Sequence, residues 1–330
     1  HRDLHSFPTR RSSDLAQSVY SFGPVGVIRA LLRSEVLVSG GGTLIQDRTS
    51  VRSALYYLAI LAAGLALRRR VAVVGQGLGP IRTWVVKALT RVVLSRADLI
   101  VLRDCGSADL LEEIGVPTSR VRIGADLAFL STAVRGERAE AEAAARGPVA
   151  LVVPSYRDKH SDRRWISSLA SRMSEAVQGQ RNIEVLAFQP ADVASDSSDG
   201  PLRPRVVEPS LADQLVKGFS VVVSARLHGL ILAVRAGIPG IALAVDPKIQ
   251  YFAEETGLPW IDPSAHSPEE VAAWACRSLD RTLARYPETA ADVREAAERF
   301  ADRAREGMQG LLELLARERP VCRRKSTVSG

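Results

Sequence analysis

Cysteine is scarce in this 330-residue chain: there are three, Cys105, Cys276 and Cys322, widely spaced and odd in number. No C-x-x-C pair occurs, so neither a disulfide framework nor a structural zinc site is specified, and a reducing, cytoplasmic setting is expected. No cluster of histidines and carboxylates has metal-ligand spacing, and no metal is expected. Aromatic residues make up only 5% and form no series interleaved with basic ones, so the net charge of +7 does not read as a nucleic-acid surface. Lysine is also rare: of 44 Lys+Arg, five are lysine (87, 159, 217, 248 and 325). An arginine bias along the whole chain, beside many alanines, reads as genome base composition. The longest uncharged apolar run, Ala54 to Leu67, has 14 residues. A membrane span needs about 20, so this run reads as a buried core helix. No G-x-G-x-x-G fingerprint and no P-loop is present.

Hydrophobic residues at 46% and charged residues at 25% are ordinary for a globular protein. The length allows two domains, since single cores stop growing at roughly 250–300 residues. The most informative stretch is 220–243, S-V-V-V-S-A-R-L-H-G-L-I-L-A-V-R-A-G-I-P-G-I-A-L. Val221 to Val223 read as a buried parallel strand. Leu230, Ile231, Val234 and Ile238 follow at helical spacing, which starts a helix near Leu227. Ser224, Arg226 and His228 therefore sit between strand and helix. In open α/β sheets, ligands bind beyond the carboxyl ends of strands, where helix N-termini offer free N–H groups to anions. Arg226 and His228 there, with Gly229 allowing close backbone approach, suggest a site for an anionic substrate. The alternative is an arginine capping a neighbouring helix and a hydrogen-bonded, half-buried imidazole.

Along the chain, the first fifteen residues resemble an in-frame translation of a sequencing adapter and are set aside. They carry three arginines and two aspartates, so the remainder has a charge of +6. Helix Val25 to Leu32 and strand Glu35 to Ser39 lead into S-G-G-G-T-L-I-Q-D (39–47). Gly41 and Gly42 in that turn let the backbone pass close to a ligand or to another chain segment. Helix 51–67 and strand Val71 to Gly75 lead into a second glycine-rich exit, G-Q-G-L-G-P, containing Gln76. After helix 82–95, strand Leu99 to Leu102 ends at Arg103 and Asp104, with Ser107 expected as the N-cap of the next helix. Arg103 could hold a phosphate or carboxylate bidentately, or simply pair with Asp104 at the surface. Residues 132–147 lack a core pattern and hold the expected linker. Strands Val149 to Val153, Ile183 to Phe188, Val206 to Glu208 and Gly240 to Ala244 alternate with helices 162–178 and 210–217 and the helix after Arg226. Such alternation implies a parallel sheet with right-handed crossovers. Residues 191–203 read as a loop, His160 as a solvated loop residue and His266 as the start of a helix. Lys248 follows in D-P-K, a compact charge suited to phosphate. Helices 268–285 and 288–317 precede a basic tail.

Taken in order, S-G-G-G, Q-G-x-G-P, R-D-x-x-S, A-D (Asp126), S-A-R-L-H, A-G-x-P and D-P-K resemble the landmarks of the polysaccharide pyruvyl transferase family, the CsaB-like proteins. Each motif alone is weak, and seven in the family's order from Ser39 to Lys248 are specific. Leu127 departs from the family's proline after A-D. The resemblance implies an α/β fold of two Rossmann-like domains facing a cleft, GT-B-like. The expected division is 16–135, linker 136–147, second domain 148–317 and a disordered tail 318–330. The family's usual opening strand and glycine-rich turn are not found, so a first domain truncated at its start is expected.

The resemblance further implies transfer of an enolpyruvyl-derived group from phosphoenolpyruvate to sugar hydroxyls of a cell-wall or exopolysaccharide precursor, as a ketal, without a cofactor. Expected to be catalytic are His228 and Arg226. Substrate contacts are expected from Arg103, Ser224, Lys248, Gly41, Gly42 and Gln76. His228 would either protonate the methylene carbon or hydrogen-bond the phosphate; both roles stay open. Acceptors would be sugars or lipid-linked oligosaccharides. Cytoplasmic placement is expected, with peripheral association at the inner membrane face as an alternative. The rival readings are a nucleotide-sugar glycosyltransferase of the same fold and a catalytically inactive fragment.

Overall fold

The computed structural model describes residues 23–48, 50–131, 146–153, 164–176, 182–188, 193, 204–208 and 211–317. The expected linker over 136–145, His160, most of the 191–203 loop and the 318–330 tail lie outside these. Within them the chain builds two all-parallel sheets.

The first sheet has the order β1-β2-β3-β4, from β1 (Val36–Gly40), β2 (Arg70–Gln76), β3 (Leu99–Leu102) and β4 (Val121–Ile123). β2 and β3 are apolar and almost wholly buried because helices cover both faces of a parallel sheet. The helices are α1 (Pro24–Arg33), α2 (Val51–Ala66), α3 (Trp84–Leu94) and α4 (Cys105–Ile114). The uncharged run from Ala54 is therefore a core helix; α2 buries Ala54, Leu58, Leu61 and Gly64. Ser50 caps it by accepting from the Ser53 amide at 3.2 Å. One local expectation fails. Asp104, not Ser107, caps α4, accepting from the Ser107 amide at 2.8 Å and from the Ser107 hydroxyl at 2.6 Å. A carboxylate at this position also favours the positive end of the helix dipole.

The second sheet has the order β10-β9-β8-β5-β6-β7. Its strands are β5 (Val149–Val152), β6 (Ile183–Ala187), β7 (Arg205–Val206), β8 (Val221–Ser224), β9 (Gly240–Leu243) and β10 (Trp260–Ile261). Its helices are α5 (Arg164–Ala176), α6 (Ala212–Val216), α7 (Leu227–Arg235), α8 (Pro247–Thr256), α9 (Pro268–Ala284) and α10 (Tyr286–Ala316). β5 pairs with β6 on one side and with β8 on the other. The winding direction reverses there, and the crevice beyond the carboxyl ends of β5 and β8 is the topological switch point. Ser224, Arg226 and His228 leave β8 at that crevice. The sequence reading had no element over 247–261. Asp246 caps α8, accepting from the Lys248 amide at 3.1 Å with Pro247 at the first turn, and the chain returns as β10.

A shared core joins the two sheets. Phe129, from the 3-10 turn Leu127–Ser131 after β4, packs on Phe300 of α10 with centroids 5.1 Å apart and on Phe252 of α8 at 6.4 Å. Leu227, Leu230, Ile231 and Val234 of α7 complete this cluster. α10 then crosses back: Leu311 and Leu314 pack with Val74 and Val101 of the first sheet. Its apolar face is thus engaged inside the protein, while Leu312 and Leu315 stay exposed. No helix among the described residues is long and apolar enough to cross a membrane.

Candidate active site

Four segments that are remote in sequence meet at the Arg103 guanidinium. Its Nη2 donates to the Thr43 hydroxyl at 2.9 Å, its Nε to Asp104 at 3.2 Å and its Nη1 to Asp126 at 3.2 Å. The fourth segment is Gly77, where a Cβ would stand 2.6 Å from Arg103 Nε. The turns after β1 and β2 also bond each other, the Gly77 amide donating to the Gly42 carbonyl at 2.9 Å. Three of the five guanidinium donors are engaged and the residue is 5% exposed, so Arg103 is not an open fork for a substrate. It differs equally from a surface pair, because Asp104 and Asp126 flank it in the interior.

Asp126 is held on its other oxygen by the Ala128 amide at 3.0 Å. Leu127, in the place of the family's proline, lays its side chain where a Cβ of Gly75 would meet it at 2.5 Å. Gly41 and Gly42 adopt φ values of 72° and 64°, the left-handed region that glycine tolerates; a Cβ on Gly41 would meet nothing within 4 Å. Backbone conformation, not a close neighbour, calls for glycine there. Gln76 is fully buried and accepts from the Ser39 hydroxyl at 3.1 Å, with its Nε2 lacking a partner. Asp47 ties the second turn down by accepting from the amides of Arg82 at 2.9 Å and Thr83 at 2.6 Å.

On the opposite wall, Ser224 is fully buried and its hydroxyl donates to the Arg226 carbonyl at 2.8 Å. It therefore positions the arginine and is not itself exposed to a ligand. Gly229 is needed because a Cβ would lie 2.4 Å from Ser224 Oγ; the close approach is to this serine. Arg226 is the N-cap residue of α7 and points, with His228, into a cavity of about 380 Å3. His228 lines the cavity with much of its surface open to solvent and protein around the rest. That surrounding protein pushes its pKa below the ordinary histidine value; Asp126 opposes the shift, while Arg103, Lys248 and Arg226 reinforce it. Lys248 Nζ lies 3.3 Å from Asp246, which also takes Arg48 from the first half at 2.8 Å.

Arg226 and His228 thus line the cavity at the switch point, while Lys248 and Arg103 do not line it and reach His228 only through their charge. Gly41, Gly42, Gln76 and Ser224 do not line the cavity. Sequence reasoning had noted Asp126 only as a landmark, and it missed Asp213, Phe188 and Arg235, which line the cavity beyond His228. Asp126 had a legible signal, the A-D pair at a strand exit; the others had none. Cys105 is not a reactive thiol, since burial and the neighbouring Glu255 push its pKa up to about 11. No group of three or more metal-ligating side chains occurs among the described residues.

Two Rossmann-like sheets whose carboxyl edges meet at a cationic switch point define a protein of the GT-B class. Solved structures agree at the level of fold. HepE from Anabaena in complex with UDP superposes with a TM-score of 0.57 at 11% identity, covering 88% of this chain and 81% of its own. A UDP-GlcNAc 2-epimerase from Neisseria meningitidis gives 0.56 at 12%, with coverages of 88% and 81%. A glycosyltransferase from Rickettsia africae gives 0.53 at 11%, with 92% and 85%. No curated protein matches. Residues 6–247 match the polysaccharide pyruvyl transferase family, a span that begins inside the first fifteen residues. The chain belongs to that family, a family of transferases.

Proposed function

We propose that the cavity binds phosphoenolpyruvate and that the protein transfers its pyruvyl group to sugar hydroxyls as a ketal. The observation that carries this reading is that Arg226 and His228 line one cavity at the switch point, beside the N-terminus of α7, with the charge of Lys248 reaching His228. A small, multiply charged anion suits two cations and free helix N–H groups. Arg226 holds the phosphate and carboxylate as a fork, with Lys248 as the second charge; Arg103, already engaged, acts from behind. Desolvation by the surrounding protein, reinforced by the nearby cations, lowers the His228 pKa in the free protein. Arrival of the anion neutralises them and raises the imidazole pKa, so the proton is taken up when substrate is present.

From there His228 delivers a proton to C3, and positive charge develops at C2. One sugar hydroxyl adds to C2 and passes its proton to the His228 imidazole, which restores it. The C2–O bond to phosphate breaks, phosphate departs with the electron pair, and a second hydroxyl closes the ketal as its proton passes to phosphate. The products are the pyruvate ketal and inorganic phosphate. UDP complexes among proteins of this fold keep a nucleotide-sugar donor as the second reading. Calorimetric titration of the protein with phosphoenolpyruvate and with UDP-glucose separates the two. Binding of phosphoenolpyruvate alone supports pyruvyl transfer, and binding of UDP-glucose alone overturns it.

A further inference from the structure

The cavity continues past the anion-binding end. His228, Ile231, Leu232 and Arg235 are spaced i, i+3, i+4 and i+7 along α7 and all line it. It therefore follows that helix face for about 10 Å at 1.5 Å per residue. Phe188, at the carboxyl end of β6, and Val207 give this stretch an apolar lining, and the far end carries Asp213 ion-paired with Arg235. Arg235 is fixed in place, its Nη1 donating to the Ala128 carbonyl and the Ser131 hydroxyl at 3.0 Å each. Asp213 keeps 53% of its side chain exposed and has lone pairs beyond those facing Arg235.

A three-carbon phosphate gathered by Arg226 and His228 leaves most of a 380 Å3 cavity unused. What remains is an aromatic ring and aliphatic side chains ending in a hydrogen-bond acceptor. Asp213 disfavours a second anion there and cancels the charge of Arg235. The stretch is two helical turns long and ends at an ion pair, which does not suit a polyprenyl chain. It suits a neutral ring with an apolar face and several O–H donors. We infer that the segment between His228 and Asp213 is the acceptor subsite and that it takes a neutral pyranose ring. The ring lies against Phe188 and Leu232, with one hydroxyl donated to Asp213 and the opposite edge presented toward His228. This inference rests on the pyruvyl-transfer reading, because it places the attacking hydroxyls beside C2 of the donor.

Two variants, Asp213→Asn and Phe188→Ala, test it, since both side chains are partly exposed. Binding of phosphoenolpyruvate is followed by calorimetry. Binding of methyl β-D-galactopyranoside, methyl β-D-glucopyranoside and methyl α-D-mannopyranoside is followed by saturation-transfer NMR. At least one pyranoside is expected to bind the wild type, and each variant should weaken it by about tenfold or more, as loss of a contact to a charged group or an aromatic anchor does. Phosphoenolpyruvate affinity should be unchanged in both, which also reports that they fold. Failure of every pyranoside to bind, or pyranoside affinity unaltered by both variants, overturns the subsite. So does loss of phosphoenolpyruvate binding in either variant, because that would put the donor in this stretch. Pyranoside binding without any phosphoenolpyruvate binding in the wild type would instead remove the donor reading and leave the sugar subsite standing.

Discussion

The Ser224 hydroxyl accepts from the Arg226 amide at 3.0 Å and donates to the Arg226 carbonyl at 2.8 Å, closing a two-residue turn at the end of β8. This turn aims the arginine into the cavity, and Gly229 leaves room for it. Ser224→Ala should lower stability by only about 1 kcal/mol, the usual net value of such bonds, yet weaken anion binding through a looser Arg226. Gly229→Ala should be the more damaging change, since the added methyl overlaps Ser224 Oγ. Urea denaturation of the two variants checks the order; equal stability of Gly229→Ala and wild type would contradict it.

Asp126 sits between Arg103 and the Ala128 amide, with 11% of its side chain exposed. Removing it leaves Arg103 in the interior with one carboxylate in place of two. Breaking a buried pair in this way typically costs about 3–5 kcal/mol, so Asp126→Ala should lose a large part of the protein's stability. A loss under about 1 kcal/mol would mean that the pair is well solvated.

His228 should titrate below its ordinary value of 6.5 in the free protein, because desolvation by the adjoining protein and three cations favour the neutral ring. Asp126 is the charge that opposes this shift, so Asp126→Asn should lower the midpoint further, and phosphoenolpyruvate should raise it. NMR titration of the imidazole, assigned with His228→Gln, reads all three. A ligand-free midpoint above 6.5, or one unmoved by phosphoenolpyruvate, would contradict the proton uptake described for the donor complex.

Asp47 tests the second glycine-rich turn. Burial pushes its carboxyl up, but hydrogen bonds from Thr83 and Arg82 outweigh that and leave it below 3.8. A carboxylate with a depressed folded pKa stabilises above its unfolded pKa and loses that contribution as the pH falls through the folded value. Asp47→Asn should therefore cost about 1 kcal/mol at pH 7. The gap from wild type should narrow below pH 3.8. Urea midpoints at both conditions give the answer; a constant gap would contradict a charged acceptor.

The strands and most helices were legible because their signals are local. Val221 to Val223 read as a strand, and β8 is Val221–Ser224. Arg226 and His228 could be placed because a strand exit has a position in any doubly wound sheet. Arg103 was visible as a strand-end arginine, but its role was not, since Asp126 and Thr43 arrive through tertiary packing. Ser107 and Asp104 both suit an N-cap, and only the backbone turn decides between them. α8 begins inside the last recognised motif, D-P-K, whose Asp246 and Pro247 were not read as a helix start, and β10 lies past it. Phe188, Asp213 and Arg235 belong to three separate elements, β6's end, α6 and α7. Nothing in their spacing announces that they share a cavity.

The most direct test of the account is the thermal stability of wild type and Arg226→Ala with phosphoenolpyruvate or with UDP-sugars. A ligand present at 100 times its Kd adds about 2.7 kcal/mol of stability, a shift readily measured. The account predicts a rise in Tm with phosphoenolpyruvate alone, lost in Arg226→Ala. A rise with UDP-sugars and none with phosphoenolpyruvate would contradict it.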